Sequence, residues 1–354
     1  MLQRTTRHDR SSPVTAPLIG SAEAALFVGD AVTAPSMHNA QPWSFVLRRA
    51  TGTIELYGDP RRAMHRADPD HRALHLGCAA ALFNLRVSAA HHGRQAVVRL
   101  LPDGADPWLL AEVGFTDPVG DDQDLAALYP ALRRRRTSRF PFGDEPVPDA
   151  LLDGLRAAAL LEGCRLDVPD PWHVDTLLGL VRDAEQREEI QPGVRAETAA
   201  WTYDTAGTAT AGAGTGADTG GRPRRDGIPA AAFGPRSTGG AATVRDFGRT
   251  RPVAGRDRAA FEEHPQLVLL STARDTPADW LRAGQALERI LLQATADGLA
   301  TSMSSQPLEW PELRWPARNP VTGTGHVQMV IRLGYGPQGP GTPRRAVAEV
   351  LHVL

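Results

Sequence analysis

Apolar and polar positions divide the chain into alternating helical and extended stretches. After Ser21, a candidate N-cap, Ala22, Ala25, Leu26, Gly29 and Val32 recur at helical spacing, and Pro35 closes the run. Trp43 to Leu47 and Thr53 to Tyr57, separated by Thr51-Gly52, read as a β-hairpin. An Ala/Leu-rich helix is expected from about 69 to 92, then strands near 96–101 and 108–115. Residues 116–124, rich in Asp, Pro and Gly, read as a linker. Beyond it the pattern predicts a helix ending in Arg133 to Arg136, a helix over 149–162 and a short strand at 165–168. A helix over 172–189 and a buried strand over 266–271 follow, then an amphipathic helix over 277–297 and a final strand over 326–333.

One spacing repeats. Ala81, Leu82, Leu85, Val87, Ala89 and Gly93 correspond to Ala286, Leu287, Ile290, Leu292, Ala294 and Gly298 at a constant offset of 205. Each series ends a long helix at a Gly C-cap signal, which suggests two copies of one unit with helices packed on a mixed sheet. Two regions stand outside this pattern. Residues 1–17 are polar and lack the apolar core of a signal peptide, so they read as a disordered lead-in. In Thr205 to Gly221, 16 of 17 residues are Gly, Ala or Thr. Such a stretch buries too little apolar surface to offset its ordering entropy, and the region 190–260 reads as a lid-like low-complexity insertion.

Composition narrows the chemistry. With 42% apolar and 23% charged residues, the 354-residue chain has the makeup of a soluble globular protein of about two domains. The 39 basic residues are all Arg, which excludes a lysine Schiff base and the lysine of a phosphate-binding P-loop. Against 41 acidic residues they leave a net charge of −2, a poor basis for nucleic-acid binding. No run approaches 18 apolar residues, so no membrane span is expected. Cys78 and Cys164 form no scaffold pattern and suit a reducing, cytoplasmic setting. His71, His75 and Cys78 share a helix face, but no fourth ligand is placed, so no metal site is assigned.

Three segments concentrate polar chemistry. In Pro35-Ser36-Met37-His38-Asn39-Ala40-Gln41-Pro42-Trp43, Ser36, His38, Asn39 and Gln41 lie between a helix stop and a strand start, and could meet a flat polar ligand or simply cap backbone groups. Arg133 to Arg136, Thr137, Ser138 and Arg139 can neutralise a dianion or form a solvated helix end. The Phe140-Pro141-Phe142 that follows favours an anchored segment. Near the C-terminus a Gly/Pro loop leads to Arg344-Arg345, which could equally be a surface pair.

Together these segments resemble the nitroreductase-like flavoprotein family, in particular its Acg-like branch of two fused units. Pro35-Ser36-x-x-Asn39-x-Gln41-Pro42-Trp43 resembles the family's flavin-ring segment, and Arg135-Arg136-Thr137-x-Arg139 its phosphate motif, with Thr137 in place of Ser. The stretch from Gly298-Leu299 to Gln306 resembles the segment under the flavin N5, and Arg345 the C-terminal phosphate ligand. The resemblance implies an α+β nitroreductase-like fold of two fused pseudo-symmetric units, over 18–118 and 125–354, each with helices on a mixed or antiparallel sheet. It implies one FMN between them. Arg135, Arg136, Arg139 and Arg345 with Thr137 would hold the phosphate; Ser36, Met37, His38, Asn39 and Gln41 would meet the ribityl chain and ring; Met303, Ser304 and Ser305 would lie near N5. It further implies hydride transfer from NADPH or NADH to a nitroaromatic, quinone or similar small acceptor, in a chain able to work as a monomer. If the insertion closes over the flavin, an FMN storage or sequestration protein is the alternative.

Overall fold

The computed structural model describes residues 18–118, 123–204, 224–321, 323 and 325–354. The expected lead-in at 1–17, part of the linker and the Gly/Ala/Thr run lie outside the described residues. The first apolar stripe forms α1 (Ser21–Ala31). Alternating residues then form β1 (Trp43–Arg48) and β2 (Thr53–Gly58), with Trp43, Phe45 and Leu47 pointing inward. Helix α2 (Arg72–His91) follows, then β3 (Gln95–Leu100) and β4 (Leu109–Thr116).

The second unit opens with two short helices, α3 (Gln123–Ala126) and α4 (Tyr129–Leu132). The helix expected to end in Arg133 to Arg136 therefore stops at Leu132. Arg133 and Arg134 form a closing turn, and from Arg135 on the run is extended chain, tied by a bridge between Thr137 and Thr301 and by Ser138 N–H donating to the Thr301 carbonyl at 2.8 Å. Next come α5 (Asp149–Leu161), β5 (Arg165–Asp167), α6 (Pro171–Ile190), α7 (Pro192–Ala200) and β6 (Thr202–Tyr203). After the undescribed run lie β7 (Ile228–Pro229), β8 (Arg236–Gly239) and β9 (Arg258–Ala260). The chain then forms β10 (Gln266–Thr272), α8 (Pro277–Ala296), β11 (Ala300–Ser304), α9 (Pro311–Arg314), β12 (His326–Gly334), α10 (Val347–Val350) and β13 (Leu351–Val353).

Among the described residues β6-β7 and β8-β9 make two small two-stranded sheets, and the other strands make two larger sheets, in the orders β13-β1-β2-β4-β3 and β11-β12-β10-β5. In the larger two, all pairings are antiparallel except β1 with β13. The residues assigned from sequence to the second unit thus do not all stay there. The last strand crosses over, and Phe45 pairs with Leu351 at the edge of the first sheet. An exposed edge strand leaves backbone groups unpaired, and β13 satisfies them.

Helices α2 and α8 form the centre. They are equal in length and begin and end 205 residues apart, and β3 and β11 begin at the same offset. Their crossing is close: a Cβ added at Gly284 of α8 would lie 2.3 Å from the Leu76 carbonyl oxygen of α2. Leu281 of α8 packs into the first core, and Leu76 of α2 into the second. By length and composition α2 could span a membrane, which the sequence reading did not expect; here its most apolar window is 83% buried within the protein.

The described parts of the insertion are ordered, in contrast to the loop expected over 190–260. Ile228, Ala232, Phe233 and Phe247 form a small core of their own. Glu197 of α7 accepts from the Ala67 N–H at 3.0 Å, and Arg62 pairs with Asp226 at 2.8 Å, docking the insertion on the first unit. Only the run from 205 to 221 is low in complexity; its flanks carry enough apolar side chains to fold.

Candidate functional site

A cavity of about 450 Å³ lies where the two units and the insertion meet, within the size range of small-ligand pockets. Its first wall is the turn between α1 and β1. Here His38, Asn39 and Gln41 take positive φ values of 48°, 55° and 52°. Non-glycine residues in this region are strained by about 1–3 kcal/mol each, and such strain persists where the surroundings enforce it. The enforcing contacts are visible. Ser36 Oγ accepts from the Gln41 N–H at 2.8 Å. Asn39 Nδ2 donates to the Gly227 and Pro343 carbonyls at 3.0 and 3.1 Å, and Gly227 N–H returns a bond to the Asn39 carbonyl. Gln41 Nε2 donates to the Arg225 carbonyl at 2.7 Å, and its Oε1 accepts from the Arg345 N–H at 2.8 Å.

The second wall is the Arg segment. Arg135 is buried, with Nη2 donating to the Thr33 carbonyl at 3.2 Å. Arg136 donates to the Arg135 carbonyl at 2.7 Å. Arg139 stands apart from them: its Nη1 donates to the Ala232 carbonyl at 2.9 Å and its guanidinium lies 5.0 Å from the centre of the Phe247 ring. The backbone of the insertion approaches Arg139 closely at Gly234, where φ is +72° and an added Cβ would lie 2.1 Å from the Arg139 carbonyl oxygen. Phe142 anchors the segment as expected, beneath the Arg332 guanidinium at 3.7 Å.

Of the residues singled out from sequence, Ser36, Met37, His38, Asn39, Arg135, Arg136, Thr137, Arg139, Met303 and Ser305 line this cavity. Three others do not. Ser304 alternates to the opposite face of β11 from Met303, as strand geometry requires. Gln41 is wholly buried and spends its amide on backbone groups. Arg345 turns away from the cavity and donates to the Gln41, Trp43 and Glu349 carbonyls. Its neighbour Arg344 takes the inward position, with Nη1 donating to Asn39 Oδ1 at 2.9 Å and Thr342 Oγ1 at 2.6 Å. The doublet itself was visible in the sequence, but adjacent extended residues point opposite ways and only the backbone path decides which enters.

Sequence reasoning also missed Arg72, Arg245 and Phe247, which are part of the lining. Arg245 bridges Glu188 at 2.9 Å and Glu309 at 2.7 Å. Burial alone would lower its pKa, but these two carboxylates raise it. A hydrophobic signal around Phe233 and Phe247 was available to find this part of the wall.

The electrostatics divide the cavity in two. At one end Arg135, Arg136 and Arg344 crowd together. Burial, then Arg135 and Arg136, push Arg344 down to about 9. At the other end burial lowers Arg139 to about 10, with Arg245 adding to the effect. His38 lies here, 6% exposed, edge-on to Phe247 at 5.2 Å. Burial, then Arg245 and Arg139, hold its pKa well below the ordinary value, so it is neutral at pH 7. Among the described residues neither of its ring nitrogens has a hydrogen-bond partner. A buried, unpartnered donor and acceptor facing a cavity is the signature of a group awaiting a ligand.

Comparison with known proteins gives concordant matches. The profile described as "Nitroreductase family" matches residues 132–335. "Putative NAD(P)H nitroreductase Rv3131" of Mycobacterium tuberculosis is 33% identical over 332 residues, 91% of this chain and 88% of the relative. "Putative NAD(P)H nitroreductase acg" of the same organism is 31% identical, over 91% of this chain and 93% of the relative. Among solved structures, the FMN-dependent nitroreductase NfnB from Mycobacterium smegmatis, in complex with NADPH, aligns with 64% of this chain and 97% of its own, at 16% identity and a TM-score of 0.38.

Proposed function

Because the chain belongs to the nitroreductase family, we propose that it is an FMN-dependent oxidoreductase, carrying hydride from NADPH or NADH to a small acceptor such as a nitroaromatic or a quinone. The observation that supports this most directly is the division of the cavity. One end is a cation cluster and the other holds a neutral, unpartnered imidazole. That pairing suits a ligand with a phosphate dianion at one end and a polar ring system at the other.

The residues present fit FMN. Arg135, Arg136 and Arg344 would hold the phosphate, with Thr137 adding a hydroxyl. Ser36, Met37, His38, Met303 and Ser305 would meet the ribityl chain and ring. Arg139 would serve the ring end rather than the phosphate, given its place beside His38 and Phe247. The bound flavin would supply hydride transfer at N5. The chain's own part is positional and electrostatic. His38 offers one N–H donor and one lone pair at neutral pH. Arg139 and Arg245 set a positive potential there, and Phe247, Ile228 and Leu76 keep water from that face. Asn39 orients Arg344 and fastens the insertion, since its amide group is already committed to protein partners. Both halves of the cavity come from one chain, which supports a monomer as the working unit.

The position of the insertion supports a second reading, that the protein stores or sequesters FMN. Ile228, Ala232, Val244 and Phe247 form part of the cavity wall, and Gly227 bonds Asn39 in both directions. A visible spectrum of the purified protein, taken anaerobically before and after NADPH and then NADH, separates the two. A flavin band that bleaches rapidly establishes the reductase. A band that persists with both nucleotides establishes sequestration. Protein that neither carries nor takes up FMN overturns both.

A further inference from the structure

Glu288 of α8 lies behind the cation cluster, outside the cavity lining, and is fully buried. Among the described residues neither carboxylate oxygen closes to a well-formed hydrogen bond, and nor does Arg135 Nε–H, although the two charged groups stand only 3.5 Å apart and the Asn84 amide approaches the carboxylate. An ion pair this deeply buried normally closes to hydrogen-bonding distance, because desolvation is otherwise poorly compensated. Each element around Glu288 contributes a group. Arg135 comes from the extended Arg segment, Arg344 from the C-terminal arm and Asn84 from α2. Asn84 in turn donates to Thr33 Oγ1 at 3.1 Å, beyond the end of α1. The neighbouring acids are engaged elsewhere: Asp30 accepts from Ser88 and Arg133, and Glu162 from Arg86 and Arg289.

We propose that Glu288 is a positioning counter-ion for this cradle: it balances Arg135 when no anion is bound and takes up a proton from solvent when a phosphate monoester claims the guanidinium. No bond other than the carboxyl O–H is made. The inference rests on the FMN reading for the identity of the ligand, but the coupling belongs to any phosphate-bearing anion.

The direction follows from linkage. Burial raises the Glu288 carboxyl to about 7, against the opposing pull of Arg135, Asn84 and Arg344. A bound dianion offsets the field of the two cations, Arg135 and Arg344, so the carboxyl rises further in the complex. A group whose pKa rises on binding takes up a proton, and affinity falls as pH increases above its value in the free protein. The limit is about tenfold per pH unit. The phosphate's own second ionisation, near about 6, is largely complete by then. Arg344 begins to lose its proton only near 9, so pH 7 to 8.5 isolates Glu288.

FMN binding is measured by quenching of flavin fluorescence between pH 6.5 and 8.5, for the wild-type chain and for Glu288→Gln. The wild type is expected to weaken by about fivefold or more across this range. Glu288→Gln is expected to bind with a nearly flat profile, close to the tightest wild-type value. A flat wild-type profile, or an unchanged slope in the variant, overturns the proposal and leaves the flavin reading intact. If Glu288→Gln does not fold, calorimetry of wild type with FMN in two buffers of different ionisation enthalpy decides: net proton uptake at pH 7.5 supports the coupling, and none overturns it. Phenyl phosphate, a monoester that ionises in the same range as FMN but lacks the flavin ring, separates the two layers of inference when it competes with a reporter anion or is followed by calorimetry. Protein that ignores FMN but binds phenyl phosphate with the same pH slope overturns the flavin reading and upholds Glu288. Protein that binds neither overturns both.

Discussion

Exchanging the arginines of the C-terminal doublet tests the site where sequence and structure disagree. Arg344 makes six hydrogen bonds, to Asn39 Oδ1, Thr342 Oγ1 and the carbonyls of Thr33, Ala34, Thr342 and Pro343, and pairs with no carboxylate among the described residues. Its fall from 12.5 to about 9 corresponds to a cost of about 5 kcal/mol for keeping it charged in the free protein. A bound phosphate recovers part of that cost, and a hydrogen bond to a charged group contributes about 1.5–3 kcal/mol. Arg344→Met is therefore expected to weaken FMN by about 10- to 150-fold. It should leave the free protein's stability within about 1 kcal/mol, because lost hydrogen bonds and relieved charge crowding oppose each other. The Arg345 side chain makes three hydrogen bonds to backbone carbonyls: those to Gln41 and Trp43 join the C-terminal arm to the start of β1, and that to Glu349 stays within the arm. Arg345→Met should cost about 1–3 kcal/mol of stability and change FMN affinity by less than about twofold, since it removes no ligand contact. Flavin fluorescence titration and urea unfolding measure both quantities. The reasoning is refuted if Arg345→Met loses FMN more severely than Arg344→Met.

Other predictions concern the scaffold. Gly284→Ala would set a methyl 2.3 Å from the Leu76 carbonyl and 2.6 Å from Ala79 Cβ, so urea unfolding should show a loss of about 3 kcal/mol, at the upper end for overpacking. Gly179→Ala on α6 meets nothing within 4 Å and should gain up to about 1 kcal/mol through helix propensity, giving a matched control. Partial burial pushes Asp275 up, but Arg314, Trp280 and Gln328 outweigh it and hold the carboxyl well below the usual carboxylate range. Its stabilising contribution is present above the unfolded value near about 4 and is lost as pH falls through the depressed folded value. Asp275→Asn should thus cost about 3 kcal/mol at pH 7, with the gap to wild type closing only in acid; a gap constant from pH 7 to pH 2 would contradict the assignment.

Much of the fold was legible because it rests on periodicity. The hairpin of β1 and β2, the helices α2 and α8, and their offset of 205 follow from residue spacing and Gly C-caps. The turn from Ser36 to Gln41 and the Arg segment also stood out, because polar residues of that density between apolar elements are seldom idle. The insertion was misread because the composition of 205–221 coloured its flanks. Phe233 and Phe247 are sparse in that stretch, and it is the path of the folded chain that brings them together with Ile228 of β7 and Ala232 into a core.

What the sequence could not decide depends on direction in space. Local pattern identifies an arginine doublet, but the choice between Arg344 and Arg345 is made by a backbone path that first lines the cavity and then crosses to β1. It likewise marks the stretch after Gly298, while only the fold shows a strand there, whose pleat sends Met303 toward the cavity and Ser304 away from it, and a turn after the strand that brings Ser305 back to the lining. Glu288 had no signal at all. It reads as an ordinary polar position on an amphipathic helix, and its chemistry exists only because α2, the Arg segment and the C-terminal arm enclose it. The sequence alone determined the main periodic helices and strands, the family resemblance and the residue types that a phosphate-bearing ligand needs. Tertiary structure decided which of those side chains share one low-dielectric space, because burial and charge are properties of neighbours distant in the chain.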